Sequence, residues 1–157
     1  MMSSNYSQYE EEVAKCREEN KKHLEDFRVA LEAKNISPKT IKQHISNMQL
    51  YLNHYMQREE ATPMEGGWVM VDTFFTWFYP LKCMPSSAYG AKSMMASVKK
   101  FYKLMMDKGL IEKDDYQQML ATMKEHREEY LSYYGSSNSS SSSSSHFDIY
   151  IPSYLPW

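Results

Sequence analysis

The sequence is poor in the residues that interrupt helices or cross-link small folds. Its 157 residues include only six prolines, five glycines and two cysteines. Cys16 and Cys83 form neither a Cys-x-x-Cys pair nor a Cys/His zinc pattern, so a disulfide framework and a structural zinc site are both disfavoured. Two isolated thiols are typical of a reducing, cytoplasmic setting. Long stretches without proline or glycine predict an all-α protein.

Long apolar runs are also missing. The most apolar segment, residues 68–80, is about 13 residues long, contains Asp72 and falls short of the roughly 20 residues that a membrane helix needs. The first dozen residues are polar and then acidic, so we expect neither a secretory leader nor a membrane partner. The five histidines are scattered without ligand spacing, so we expect no metal and no cofactor.

Apolar residues instead recur at the spacing of helices that bury one face. The second predicted helix begins with Ser37 as N-cap and Pro38 at its first position, and the fourth ends at Gly109. The aromatic third helix could offer a base-stacking platform, but its composition favours core packing. We therefore expect an all-α bundle of four to five helices, which we place at residues 9–33, 37–57, 68–79, 86–109 and 114–134.

The predicted helical domain spans residues 1–134. Residues 135–145 are rich in serine and predict a flexible linker, followed by an aromatic segment at 146–157. This segment is either an appended tail or a tethered peptide that docks on the bundle. We leave it out of the fold prediction.

Charge is distributed unevenly along the chain. The net charge is −2 overall, but residues 36–110 carry +4 and lie between acidic flanks of −2 and −4. The fourth predicted helix concentrates this charge, because its lysines recur on one side and no acid precedes Asp107. An outer helix face usually mixes both signs and is simply solvated, whereas this face carries one sign. The pattern favours an anionic partner.

Two motifs carry a resemblance to a known family. Ser37-Pro38-Lys39-Thr40-Ile41 begins the second helix, and residues 97–111 read SVKKFYKLMMDKGLI. With the aromatic segment VDTFFTWF at 71–78, residues from about 24 to 113 resemble the SAM-like core-binding domain of tyrosine recombinases and phage integrases. The motifs are moderately specific, since they are packing and capping patterns. Residues 114–134 would then be an additional acidic helix.

The resemblance implies that the chain binds double-stranded DNA without catalysing recombination. The family's catalytic domain, with its His-x-x-Arg motif and nucleophilic tyrosine, has no counterpart here, so we expect no enzyme activity. We also expect the second and fourth helices to lie side by side. By resemblance, the residues that face DNA are Lys39, Thr40, Lys42 and Gln43 on the second helix and Lys92, Lys99, Lys100 and Lys103 on the fourth.

An alternative hypothesis is a protein-interaction module. Tyr116, Leu120, Met123, Tyr130 and Tyr134 follow a heptad-like pattern along residues 114–134, with Arg127 inside it. Such a seam could pack within the molecule, bind a protein partner or form a homodimer. The aromatic tail is a second candidate contact for a partner. The pattern does not decide between these outcomes.

Overall fold

The computed structural model describes residues 2–83 and 86–134, with the side chains of residues 2–4 left aside, and this part of the chain is helical without strands. The all-α prediction is confirmed. The predictions for residues 135–157, the serine-rich linker and the aromatic tail, lie outside the described residues. The helical segments are α1 (Met2–Ala33), α2 (Pro38–Gln49), a π-helix (Leu50–Tyr55), a 3-10 helix (Met64–Val69), α3 (Val71–Thr73), a second π-helix (Phe74–Phe78), α4 (Tyr79–Lys82), α5 (Ala88–Asp107) and α6 (Lys113–Ser132).

Packing divides the chain into two compact units, the first ending at Trp68 and the second beginning at Val69. The first unit is built on α1 and α2 with the π-helix that continues α2. Its core includes Leu24, Phe27 and Leu31 of α1 and Met48 of α2. The predicted assignment of residues 1–134 to one domain stays a prediction.

The turn between α1 and α2 is set by local chemistry. Asn35 adopts a positive φ of 60°, which ends α1, and Asn is one of the few residues that tolerate this conformation. The Ser37 Oγ then accepts a hydrogen bond from the Thr40 backbone N–H at 3.3 Å. Pro38 occupies the first turn of α2, where its missing N–H has no helical partner to lose. The predicted start of the second helix is confirmed.

Polar contacts fasten α1 to the π-helix in the first unit. Arg17 donates to the Asn53 carbonyl through Nε at 3.0 Å and Nη2 at 2.8 Å. The amide of Asn20, which is only 1% exposed, donates to Asn53 Oδ1 at 2.8 Å. Gln57 pairs with Thr62 in both directions and closes the loop that follows. These bonds satisfy buried amides and fix the register of the two helices.

The second unit begins with an aromatic region that differs from the predicted third helix. We expected a helix at 68–79 followed by a turn at Pro80, but residues 64–69 form a 3-10 helix and Pro80 lies inside α4. Pro80 follows directly on the π-helix, and the helical stretch continues through it because Phe78 and Tyr79 keep right-handed helical dihedrals. Phe74, Phe75 and Phe78 are buried, so core packing is confirmed for these three rings.

Helices α5 and α6 form a hairpin in the second unit. The Ser87 Oγ caps α5 by accepting from the Gly90 N–H at 2.9 Å. At the other end, Gly109 has a φ of 79°, and the Leu110 N–H donates to the Met105 carbonyl at 2.9 Å. This Schellman motif satisfies the last carbonyls of α5 and turns the chain toward α6. Both predicted ends of this helix are confirmed.

Candidate nucleic-acid interface

The lysines predicted on α5 lie together along one outer side of that helix. Lys92, Lys99 and Lys103 are separated by seven and four residues, close to two turns and one turn. Lys92, Lys100 and Lys103 are exposed, and Lys99 is half-buried. No acidic residue occurs in α5 before Asp107. The structure therefore brings the four lysines into one basic row, which we call the α5 lysine row.

The opposite side of α5 holds this row in place. Met94, Val98, Phe101, Tyr102 and Met105 each have no measurable exposure. Burying side chains of this size stabilises a fold by about 1.5–3 kcal/mol each, so α5 cannot rotate to hide its lysines without losing its core contacts. The lysine row is thus presented by a rigid helix.

The Asp107 carboxylate pairs with one lysine of the row. Lys103 Nζ lies 3.0 Å from Asp107 Oδ2, with both side chains about half exposed. An exposed pair of this kind contributes about 0–1 kcal/mol, because water screens it and two flexible side chains must be ordered. Asp107 therefore holds Lys103 only weakly.

The buried seam of α6 faces the interior of the second unit. Tyr116, Met119, Met123 and Tyr130 face inward and are buried. The Tyr130 hydroxyl donates to Asp72 Oδ1 at 2.9 Å, and its ring stacks on Phe75 at 5.0 Å between centroids. Met119 takes the buried place expected for Leu120, which is half-buried. This part of the predicted seam is therefore occupied inside the second unit.

The α5 row adjoins α6 at Lys99. The Tyr116 hydroxyl donates to the Lys99 carbonyl at 3.5 Å. Burial raises the pKa of Tyr116, and the nearby Lys103 charge acts in the opposite direction.

The set predicted on α2 lies in the first unit, apart in sequence from the α5 row. Lys39 and Lys42 are exposed. Thr40 Oγ1 lies 3.0 Å from the Ser37 hydroxyl, and the Gln43 amide donates to Asn47 Oδ1 at 3.0 Å, so both polar groups already have partners inside the helix. Their assignment to DNA, and the side-by-side placement of the two lysine-bearing helices, stay predictions.

An open groove of about 720 Å³ lies where α1 meets α2. Ile36, Ile41 and Ile45 supply apolar lining, and Lys42 stands at its margin. Across the groove, Arg28 pairs with Glu25 and Glu32 along α1, and these carboxylates keep the pKa of Arg28 above its ordinary value. This concavity is chiefly apolar, in contrast to the α5 lysine row.

Sequence reasoning missed further features near the row. Tyr89 lies one turn before Lys92 and is 48% exposed, which places an aromatic ring near the end of the row. Arg127 of α6 reaches Met95 of α5, with Nη1 3.6 Å from the sulfur. The spacing of three residues from Tyr89 to Lys92 could have been found in the sequence, whereas the contact between Arg127 and Met95 depends on tertiary packing.

Other classes of site are not evident in the described part of the chain. Within residues 2–83 and 86–134, no three His, Cys, Asp or Glu side chains gather in a way that could hold a metal ion. Among the helices described, none combines the length and apolar character required to cross a membrane.

The chain matches no protein-family model, no curated protein and no solved structure.

Proposed function

We propose that the protein is a non-catalytic DNA-binding module of the SAM-like integrase type. In this proposal, Lys92, Lys99, Lys100 and Lys103 contact the phosphates of a DNA duplex, and Lys39, Thr40, Lys42 and Gln43 of α2 form a second contact set. The observation that carries it is the α5 lysine row, which is exposed and held by a buried opposite face. The capped start of α2 and the glycine-terminated α5 support the architectural part of the proposal.

The chemistry of lysine predicts how such contacts behave. A lysine ammonium is a flexible point charge that suits phosphate oxygens, whereas arginine reads guanine through two parallel hydrogen bonds. The α5 row contains no arginine. Contacts of this kind position a protein on the duplex but carry little sequence information. We therefore expect the protein to bind unrelated duplexes with similar affinity.

Fluorescence anisotropy with a labelled mixed-sequence duplex tests the proposal. The test variant replaces Lys92, Lys99, Lys100 and Lys103 with Gln. The matched control replaces four exposed lysines on or just after α1, so it removes the same charge from another helix: Lys15, Lys21, Lys22 and Lys34. Circular dichroism establishes that both variants fold.

Counterion release sets the expected size of the effect. The four phosphates that the α5 row neutralises contribute about −3.6 to the slope of log K against log salt. The same relation predicts that the α5 variant loses up to about 4 × 10³-fold in affinity at 0.1 M salt. The α1 control should lose far less, because its lysines act only through screened long-range fields. Equal losses in both variants, or wild-type binding that does not depend on salt, would refute the proposal.

A further inference from the structure

We propose that α6 supplies a second row of cations, Lys113, Lys124 and Arg127, and that the two rows together bind both strands of a nucleic-acid duplex. The inference rests on the proposed function and extends it, since it assigns a new contact surface and requires a double-stranded partner. We call the second set the α6 cation row.

Charge is segregated around α6 although its sequence is acidic overall. Lys113 and Lys124 are eleven residues apart, close to three helical turns, and Arg127 follows one turn later. All three are exposed. Asp114 and Glu125 share the same eleven-residue spacing but lie about 100° further around the helix. One edge of α6 is therefore basic and another is acidic.

Two contacts show which edge of α6 adjoins α5. Tyr116 reaches the Lys99 carbonyl, and Arg127 reaches the Met95 sulfur. The later α6 residue contacts the earlier α5 residue, so the helices are antiparallel. The other margin of the α6 seam faces α3, because Tyr130 bonds to Asp72.

The order around each helix then places both rows on one side of the hairpin. Around the axis of α6, Lys113 and Lys124 lie about 60–80° from Tyr116, on the side of Tyr116 that is away from Tyr130. On α5, Lys92 and Lys103 lie beyond Lys99, in the direction away from the buried seam. Since the helices are antiparallel, the two lysine-bearing faces that border the α5–α6 contact lie on the same side of the hairpin. Within the α6 cation row, Arg127 lies nearest to α5.

The spacing of the rows favours a duplex over a single strand. Packed helices have axes about 8–10 Å apart, so the two rows lie at about that distance from each other. The two phosphate chains of B-DNA border a minor groove about 6 Å wide, which lysine side chains on both rows can span. A single strand offers one phosphate chain and engages one row. Asp107 and Glu128 border the surface, and Asp107 already pairs with Lys103.

Salt titration of a double variant, Lys113→Gln with Lys124→Gln, tests the inference. Arg127 is left in place so that its contact with Met95 is retained. The matched control, Lys15→Gln with Lys22→Gln, removes the same charge from exposed positions of α1. Each protein is titrated with a labelled duplex and with a labelled single strand, at several salt concentrations.

We expect the α6 variant to reduce the duplex slope by about 1.8, which corresponds to two lost phosphate contacts, and the α1 control to keep the wild-type slope. The single-strand slope should be unchanged in both. If the α5 variant loses duplex binding but the α6 variant keeps the wild-type slope, this inference fails and the proposed function stands. An equal loss on single strands overturns the two-strand assignment. Wild-type protein that binds phosphatidylserine-containing vesicles but no duplex overturns both proposals.

Discussion

The close approach of α4 and α5 at Gly90 gives a sharp prediction about the second unit. An ideal Cβ at Gly90 would lie 2.1 Å from the Tyr79 hydroxyl oxygen, and Tyr79 is only 4% exposed. Alanine is favoured over glycine within a helix by about 1 kcal/mol, but overpacking of a buried ring costs up to about 3 kcal/mol. We therefore expect Gly90→Ala to lower the free energy of unfolding by about 2 kcal/mol.

A double-mutant cycle isolates the cause. Tyr79→Phe removes the hydroxyl, and the new Cβ then meets Ser87 Oγ and the ring carbon Cζ at 3.3 Å, which small shifts relieve. In the Tyr79→Phe background, Gly90→Ala should be neutral or stabilising, so the coupling between the two changes is about 2 kcal/mol. Urea unfolding followed by circular dichroism measures all four proteins. An undiminished loss in the Tyr79→Phe background would refute the reasoning, as would a Gly90→Ala protein as stable as the wild type.

Three further changes test the described structure. Ser37→Ala removes the N-cap of α2 and should cost about 1 kcal/mol in urea unfolding, whereas Ser37→Asp should restore most of it; equal stability of the Ala variant would contradict the cap. Gly109→Ala meets no atom within 4 Å, so its expected loss of about 1–2 kcal/mol comes only from the positive φ, and Gly109→Asn should lose less. Burial raises the pKa of Cys83 to about 12, whereas Cys16 is only half-buried, with a pKa that is also raised, chiefly by burial. A thiol reagent at pH 8 should therefore modify Cys16 first. A Cys16→Ser protein that still shows the fast phase of thiol modification would contradict this.

The helix ends were predictable because their causes are local. Ser37 and Pro38 at the start of α2, and Gly109 at the end of α5, act within one turn of their own position. The inward-facing positions of α1 and α5 were predictable for a related reason, since a buried helix face repeats in the sequence.

The bounds of the third helix were mispredicted because its local signals have more than one structural meaning. A proline after an aromatic run predicts a helix end, but the helical stretch continues through Pro80 to Lys82. Paired glycines predict a loop, but Gly66 and Gly67 belong to the 3-10 helix. The net charge of residues 111–157 does not reveal the basic edge of α6, because that edge is visible only when the positions of the charges around the helix are compared.

Tertiary relations were the least predictable part of the candidate site. The contact between Arg127 and Met95 joins residues 32 positions apart, and no local pattern specifies it. The outer side of α5, in contrast, follows from its lysine spacing alone. The grouping of lysines along α5 could therefore be predicted from the sequence, whereas the neighbouring contribution of α6 required the structure.

Protection of individual lysines by bound duplex tests the central claim most directly. The protein is treated briefly with an acetylating reagent at low salt, with and without a mixed-sequence duplex, and the modified lysines are quantified by mass spectrometry. The account predicts that the duplex protects Lys92, Lys100 and Lys103 several-fold, while Lys15 and Lys21 of α1 react equally in both samples. Protection of the α1 lysines with no protection on α5 would contradict the account.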